Sequence, residues 1–190
     1  GNFTSDEWGG GALFDLGVHP LAVAMLLANA AGEGRVTAVS ACLRGGQGHN
    51  SDEYASVTLH FASRFTAHVE SSWQHGPEPQ WDVQLAGDTG VLRAELLPHT
   101  SLEFNGDEVA LPKATTTPSA LSDLGYVGQI DTLVRDSLAG LEPVMSAAFG
   151  REVLQVVMAA YTSAGAQEEV IALPFNGPRH LTPLQCWRGV

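Results

Sequence analysis

Gly9-Gly10-Gly11-Ala12-Leu13-Phe14-Asp15-Leu16-Gly17-Val18-His19 carries the densest signal in the chain. Three glycines lead into an apolar run where Leu13, Leu16, Leu21, Ala24 and Leu27 recur at helical spacing, so a buried helix is expected over residues 13–28. The glycines mark an approach that is either flexible or too closely packed for a side chain. Pro20 lies inside the run. It lacks the amide that would bond to Leu16 and its ring crowds that carbonyl, so the helix should kink or restart near His19. Asp15 and His19, four residues apart, share one side of such a helix, with Cβ atoms roughly 5–6 Å apart. A carboxylate so placed can orient or charge an imidazole, the side chain best suited to give or take a proton near neutral pH. Taken alone, the spacing favours a structural pair over a catalytic one.

Downstream the period changes. From residue 35 to 111 apolar and polar residues alternate, and turn residues interrupt them at short intervals, which predicts a meander of strands: Arg35–Leu43, Glu53–Phe61, Phe65–Trp73, Trp81–Ala86, Val91–Glu95, Leu102–Phe104 and Val109–Leu111. Ala55, Val57, Leu59 and Phe61 alternate with Tyr54, Ser56, Thr58 and His60, giving one apolar sheet face and one semi-polar face. Asn105-Gly106 is a type I′ hairpin signal, and Gly87-Asp88-Thr89-Gly90 is a second turn. Residues 112–128 read as a surface connection, with Ser122 or Asp123 as a helix cap. Two helices follow: one through Ile130, Leu133, Val134 and Leu138 that ends at Gly140, and one after Ser146 through Val153, Leu154, Val157, Ala160, Tyr161 and Ala164. A strand over Glu169–Leu173 and a proline-rich tail close the chain. The fold class is α+β: an open, mainly antiparallel sheet with helices packed on one face, forming a single domain over residues 1–190.

Charge excludes several functions. With 21 acidic residues against 9 basic ones, the formal net charge is −12, with little cationic surface to neutralise nucleic-acid phosphates or an anionic membrane. No stretch approaches the roughly 20 uncharged apolar residues of a membrane span. Gly1 to Trp8 lacks the basic start and apolar core of a secretory signal. Cys42 and Cys186 are far apart and form no Cys-x-x-Cys, which fits buried thiols in a reducing cytosol and a cytoplasmic location.

The remaining constellations are weaker. His60, His68 and Glu70 could face one way across neighbouring strands and permit a metal, but strand histidines are usually sheet-surface residues, and no metal is expected. Trp73, His75 and Trp81 flank Gly76-Pro77-Glu78-Pro79-Gln80 and either line a pocket or cap the core. Gly32-Glu33-Gly34 and Gly45-Gly46-Gln47-Gly48 do not match G-x-G-x-x-G between a strand and a helix, so neither cradles a dinucleotide. There is no nucleophile elbow and no P-loop.

The glycine-rich Asp15/His19 string resembles the start of the C-terminal domain in Gfo/Idh/MocA oxidoreductases, the family of glucose-fructose oxidoreductase and inositol 2-dehydrogenase. Further resemblances follow in order: Val36-Thr37-Ala38-Val39, Gly87-Asp88-Thr89-Gly90-Val91-Leu92, Gly150-Arg151-Glu152-Val153-Leu154-Gln155-Val156-Val157 with Ala160 to Ala164, and Thr182 to Gly189. The resemblance implies a domain that binds substrate and builds a homo-oligomer through its sheet face. His19 would exchange a proton with a carbohydrate-like hydroxyl or carbonyl, and Asp15 would orient it; Trp73 and His75 are the candidate substrate contacts. The cofactor implied is NAD or NADP in the full-length protein, held by an N-terminal Rossmann domain that this chain lacks. Without a glycine turn of its own, the chain alone should bind none and be inactive. A free-standing, non-catalytic ligand-binding or assembly module of the same fold is the alternative.

Overall fold

The computed structural model describes residues 9–45, 50–74, 76–111 and 125–189. In chain order the elements are a π-helical turn (Leu13–Gly17), α1 (Val18–Ala30), β1 (Val36–Gly45), β2 (Asp52–Phe61), β3 (Thr66–Ser72), β4 (Trp81–Gly87), β5 (Gly90–Leu97), β6 (Ser101–Phe104) and β7 (Asp107–Glu108). Then come α2 (Tyr126–Leu138), α3 (Ala147–Gly165), β8 (Ile171–Ala172) and α4 (Pro183–Arg188). The class is α+β, as expected, and every strand pairing is antiparallel.

The expected single meander divides into two four-stranded sheets, ordered β3-β2-β1-β8 and β4-β5-β6-β7. Hydrogen bonding between sequential strands stops between β3 and β4, where Pro77 and Pro79 offer no backbone donor. The chain correspondingly groups into two compact units, residues 1–74 with 150–190 and residues 75–149.

The first unit holds the core. Val39, Ala41 and Leu43 of β1, Ala55, Val57, Leu59 and Phe61 of β2, and Val69 of β3 are buried on one sheet face. Val57 pairs with Ala41 on one side and Val69 on the other, so the period-two pattern places all three strands in one apolar layer. α3 contributes Val153, Val156, Val157, Ala159, Ala160 and Tyr161 to the same core. One polar contact fixes its docking. The two-residue β8 reaches only Ala38 and Val39, leaving the Ala41 amide beyond its end, and buried Ser163 Oγ accepts that amide at 2.9 Å.

Leu13–Ala30 corrects one reading of the sequence, because this stretch is long and apolar enough by length and composition to cross a membrane. Here Leu13, Leu21, Ala22, Met25 and Ala28 are core residues. Cys42 and Cys186 are half-buried rather than buried. The Glu168 carboxylate, and then burial, hold the Cys42 thiol above its ordinary range; burial alone raises Cys186. The tail forms α4, which begins with a capping box: Thr182 accepts from the Gln185 amide, and the Gln185 side chain accepts from the Thr182 amide.

The second unit is a hairpin ladder with α2. Asn105 and Gly106 have φ of 54° and 88°, the two positive values a type I′ turn needs. That tight turn starts pairing at once, so the last strand is Asp107–Glu108 rather than Val109–Leu111. None of the described residues between 76 and 149 is buried. α2 leaves Ile130 59% and Leu138 85% exposed. The proposed caps Ser122 and Asp123 lie outside the described residues.

Candidate active site

The glycine string makes a close approach. A Cβ at Gly11 would come within 3.0 Å of the Asp52 backbone and its Oδ1, so only glycine lets the chain pass the start of β2 here. Asp52 is completely buried. Its Oδ2 accepts the Leu13 amide at 2.8 Å, and its Oδ1 accepts the Tyr161 hydroxyl at 2.5 Å. The Tyr161 oxygen in turn accepts the Gly11 amide at 2.9 Å. These bonds satisfy amides at the helix start that have no intrahelical partner, and a negative charge suits that end of a helix. Burial pushes the Asp52 carboxyl up, while the Tyr161 hydroxyl and the Leu13 amide pull it down; burial wins. Burial, then the neighbouring Asp52 charge, raises the Tyr161 phenol, which stays protonated.

From this anchor the chain winds a π turn over Leu13–Gly17 and passes into α1 at Val18. The expected restart near His19 is therefore a change of helix type. The widened turn ends at Gly17 and includes Leu16, the residue whose carbonyl the amide of position 20 would meet in an unbroken α-helix; Pro20 has no such amide and its ring needs room there. Gly17 lies against Ser71 of β3, and a Cβ there would stand 2.9 Å from Ser71 Oγ.

Asp15 is in the π turn, half-buried, and His19 is in the first turn of α1, exposed. Four residues apart on continuous helical backbone, they fall on about the same side. Trp73, just after β3, joins this group. Its indole nitrogen donates to Asp15 Oδ2 at 3.0 Å, and its backbone amide donates to the Glu53 carbonyl at 3.0 Å. Trp73 is half-buried, with the polar edge of its ring satisfied by the carboxylate. His75 lies outside the described residues, and Trp81 opens β4 in the second unit.

Sequence reasoning did not single out Asp52 as a site residue or Tyr161 as anything but a core residue. An acid beside a turn and a tyrosine in an apolar helix carry no spacing signal linking them to Gly11, from which Tyr161 is 150 positions distant.

The weaker constellations resolve differently. His68 of β3 sits between hydroxyls, with Nε2 3.2 Å from Ser56 Oγ and Nδ1 3.2 Å from Thr58 Oγ1. Glu70 accepts the Tyr54 hydroxyl instead of facing a cation. Among the described residues, no three His, Cys, Asp or Glu side chains converge as metal ligands would. Gly32 follows the end of α1, and Gly46 to Gly48 lie outside the described residues. Nor does any strand pass through a G-x-G-x-x-G turn into a helix, so the described residues do not fit a dinucleotide pyrophosphate.

Residues 1–93 match the family model of the GFO/IDH/MocA C-terminal domain. Among solved structures, an NAD binding oxidoreductase from Klebsiella pneumoniae shares 17% identity at a TM-score of 0.71, over 90% of this chain and 52% of its own. The WlbA dehydrogenase from Bordetella pertussis, in complex with NADH and UDP-GlcNAcA, shares 18% at 0.67, over 88% of this chain and 49% of its own. Aldose-aldose oxidoreductase from Caulobacter crescentus, complexed with glycerol, shares 21% at 0.66, over 86% and 48%. The chain thus spans about half the length of the solved structures it matches. No curated protein matches it by sequence.

Proposed function

With residues 1–93 matching the family model of the GFO/IDH/MocA C-terminal domain, we propose that this chain is one domain, the substrate-binding and oligomerisation half of an NAD(P)-dependent oxidoreductase. It acts on a sugar, polyol or related hydroxy compound in the cytoplasm. One observation carries the reading: a carboxylate held by the Trp73 indole in a π turn, followed four residues later by an exposed imidazole. An exposed His19 can reach a substrate oxygen and give or take its proton. Asp15, with one oxygen fixed by Trp73, would orient that imidazole from the same side of the helix. Trp73 is a proposed substrate contact; His75, the other residue of that reading, lies outside the described residues.

The substrate class draws support from the sugar nucleotide of the WlbA dehydrogenase complex and from the aldose named for the Caulobacter enzyme. The dinucleotide would be held by residues outside 1–190, since among the described residues no strand-to-helix glycine turn is offered to its phosphates. Two copies would associate through the semi-polar face of β1 to β3, which carries half-buried Tyr54, Ser56 and Thr58 and exposed His68.

Calorimetry of residues 1–190 with NAD(H) and NADP(H) tests the division of labour. No saturable binding is expected, and micromolar affinity would overturn it. The coding sequence ahead of Gly1 supplies a second check: a βαβ pattern with G-x-G-x-x-G supports the enzyme, whereas a start codon there supports a free-standing assembly module.

A further inference from the structure

This inference rests on the assignment of Asp15 to the functional site. The turn carrying Asp15 is held at two places. At its start the Leu13 amide is bound by Asp52, and at Asp15 itself the carboxylate is bound by the Trp73 indole. Those two holders are joined, because Trp73 pairs through its amide with the carbonyl of Glu53, the residue after Asp52. We infer that Asp52, braced by Tyr161, is a positioning residue for Asp15.

The choice of cap supports this. A helix start is ordinarily satisfied by a neighbouring Ser, Thr, Asn or Asp at low cost. Here Ala12 makes no side-chain cap bond, and the donors are met by Asp52 at a separation of 39 residues and by Tyr161 at 150. Burying a carboxylate is expensive unless both oxygens are bonded, and both are. A local cap would close the helix equally well but would leave the turn free to slide over the sheet. The distant cap ties turn, β2 and Trp73 into one hydrogen-bonded circuit that sets the direction of the Asp15 carboxylate. Gly11 is part of it, since any side chain there would push Asp52 away.

The indole cross-peak of Trp73 in the nitrogen-15 NMR spectrum of the chain reports on this circuit without substrate or cofactor. Asp15→Ala sets the position of the unbonded indole. In Tyr161→Phe, which keeps the ring and loses the hydroxyl, the peak is expected to move upfield toward that position, and in Asp52→Asn likewise. If Asp52→Asn does not fold, Tyr161→Phe carries the test. Val157→Ala, a cavity in the same helix with no part in the circuit, should leave the peak in place. An unmoved peak in folded Tyr161→Phe, or an equal shift in Val157→Ala, overturns the inference. Either result leaves the catalytic assignment standing, whereas activity that survives His19→Ala would remove that assignment and leave this coupling intact.

Discussion

Trp73 donates its indole N–H to Asp15 Oδ2 across 3.0 Å, joining the end of β3 to the π turn over a separation of 58 residues. A carboxylate held by one oxygen presents the other in a fixed direction, and four residues on stands His19. A hydrogen bond to a charged group contributes about 1.5–3 kcal/mol. Trp73→Phe keeps the ring and removes the donor. In the full-length oxidoreductase proposed above it should lower kcat by about tenfold or more, at unchanged nicotinamide affinity, as read by steady-state kinetics.

Gly11 and Gly150 should respond oppositely to the same change. Alanine at Gly11 would drive a methyl into the Asp52 backbone, whereas at Gly150 in α3 it meets nothing within 4 Å. Gly11→Ala should cost about 3 kcal/mol. Gly150→Ala should gain about 0.5–1 kcal/mol through helix propensity. Urea unfolding of the two variants measures both.

Asp52 gives stability a pH dependence of defined sign. Burial lifts its carboxyl above the ordinary value of 3.8, so the folded state binds more protons than the unfolded one between that value and the raised one. Its charge therefore costs stability above the folded pKa, and the cost is relieved as the pH falls through it. Compared with Asp52→Asn, the unaltered chain should gain stability as the pH is lowered from neutral into this window. A constant difference between the two unfolding curves would contradict the upward push of burial on Asp52.

Hydrogen exchange should divide the chain. β1, β2 and α3 enclose the buried side chains, while the described residues between 76 and 149 include none. Amides of β4 to β7 and α2 should exchange at low opening free energies, well before those of β2. Equal protection in the isolated chain would mean that the second unit is covered in solution.

How far the sequence could be read depends on the range of each interaction. β1 to β3 were legible because one-sided burial imposes a period of two on neighbouring residues, and the Asn105-Gly106 turn because its backbone demands those residues. The restart before α1 followed from Pro20 alone. The split into two sheets was not legible, since alternation continues on both sides of Pro77 and Pro79 and period alone does not reveal which strands pair. α4 could have been read from Thr182-Pro183 with Gln185, a capping box in plain sequence. Within the site, local spacing puts Asp15 and His19 on one side of a helix but by itself favours a structural pair, so it is the resemblance of the glycine-rich string that singles them out, while Trp73 is marked by its place beside a loop. The Asp52, Tyr161 and Gly11 contacts join three distant segments, and only the fold brings them together.

The central claim is that His19 moves the substrate proton under the control of Asp15. Steady-state kinetics of His19→Ala in the proposed full-length oxidoreductase, with nicotinamide affinity measured in parallel, tests it most directly. The account predicts a fall in kcat of about 100-fold or more, the contribution of a positioned acid or base, with nicotinamide affinity nearly unchanged. Unaltered kcat, or equal losses in turnover and nicotinamide affinity, would contradict it.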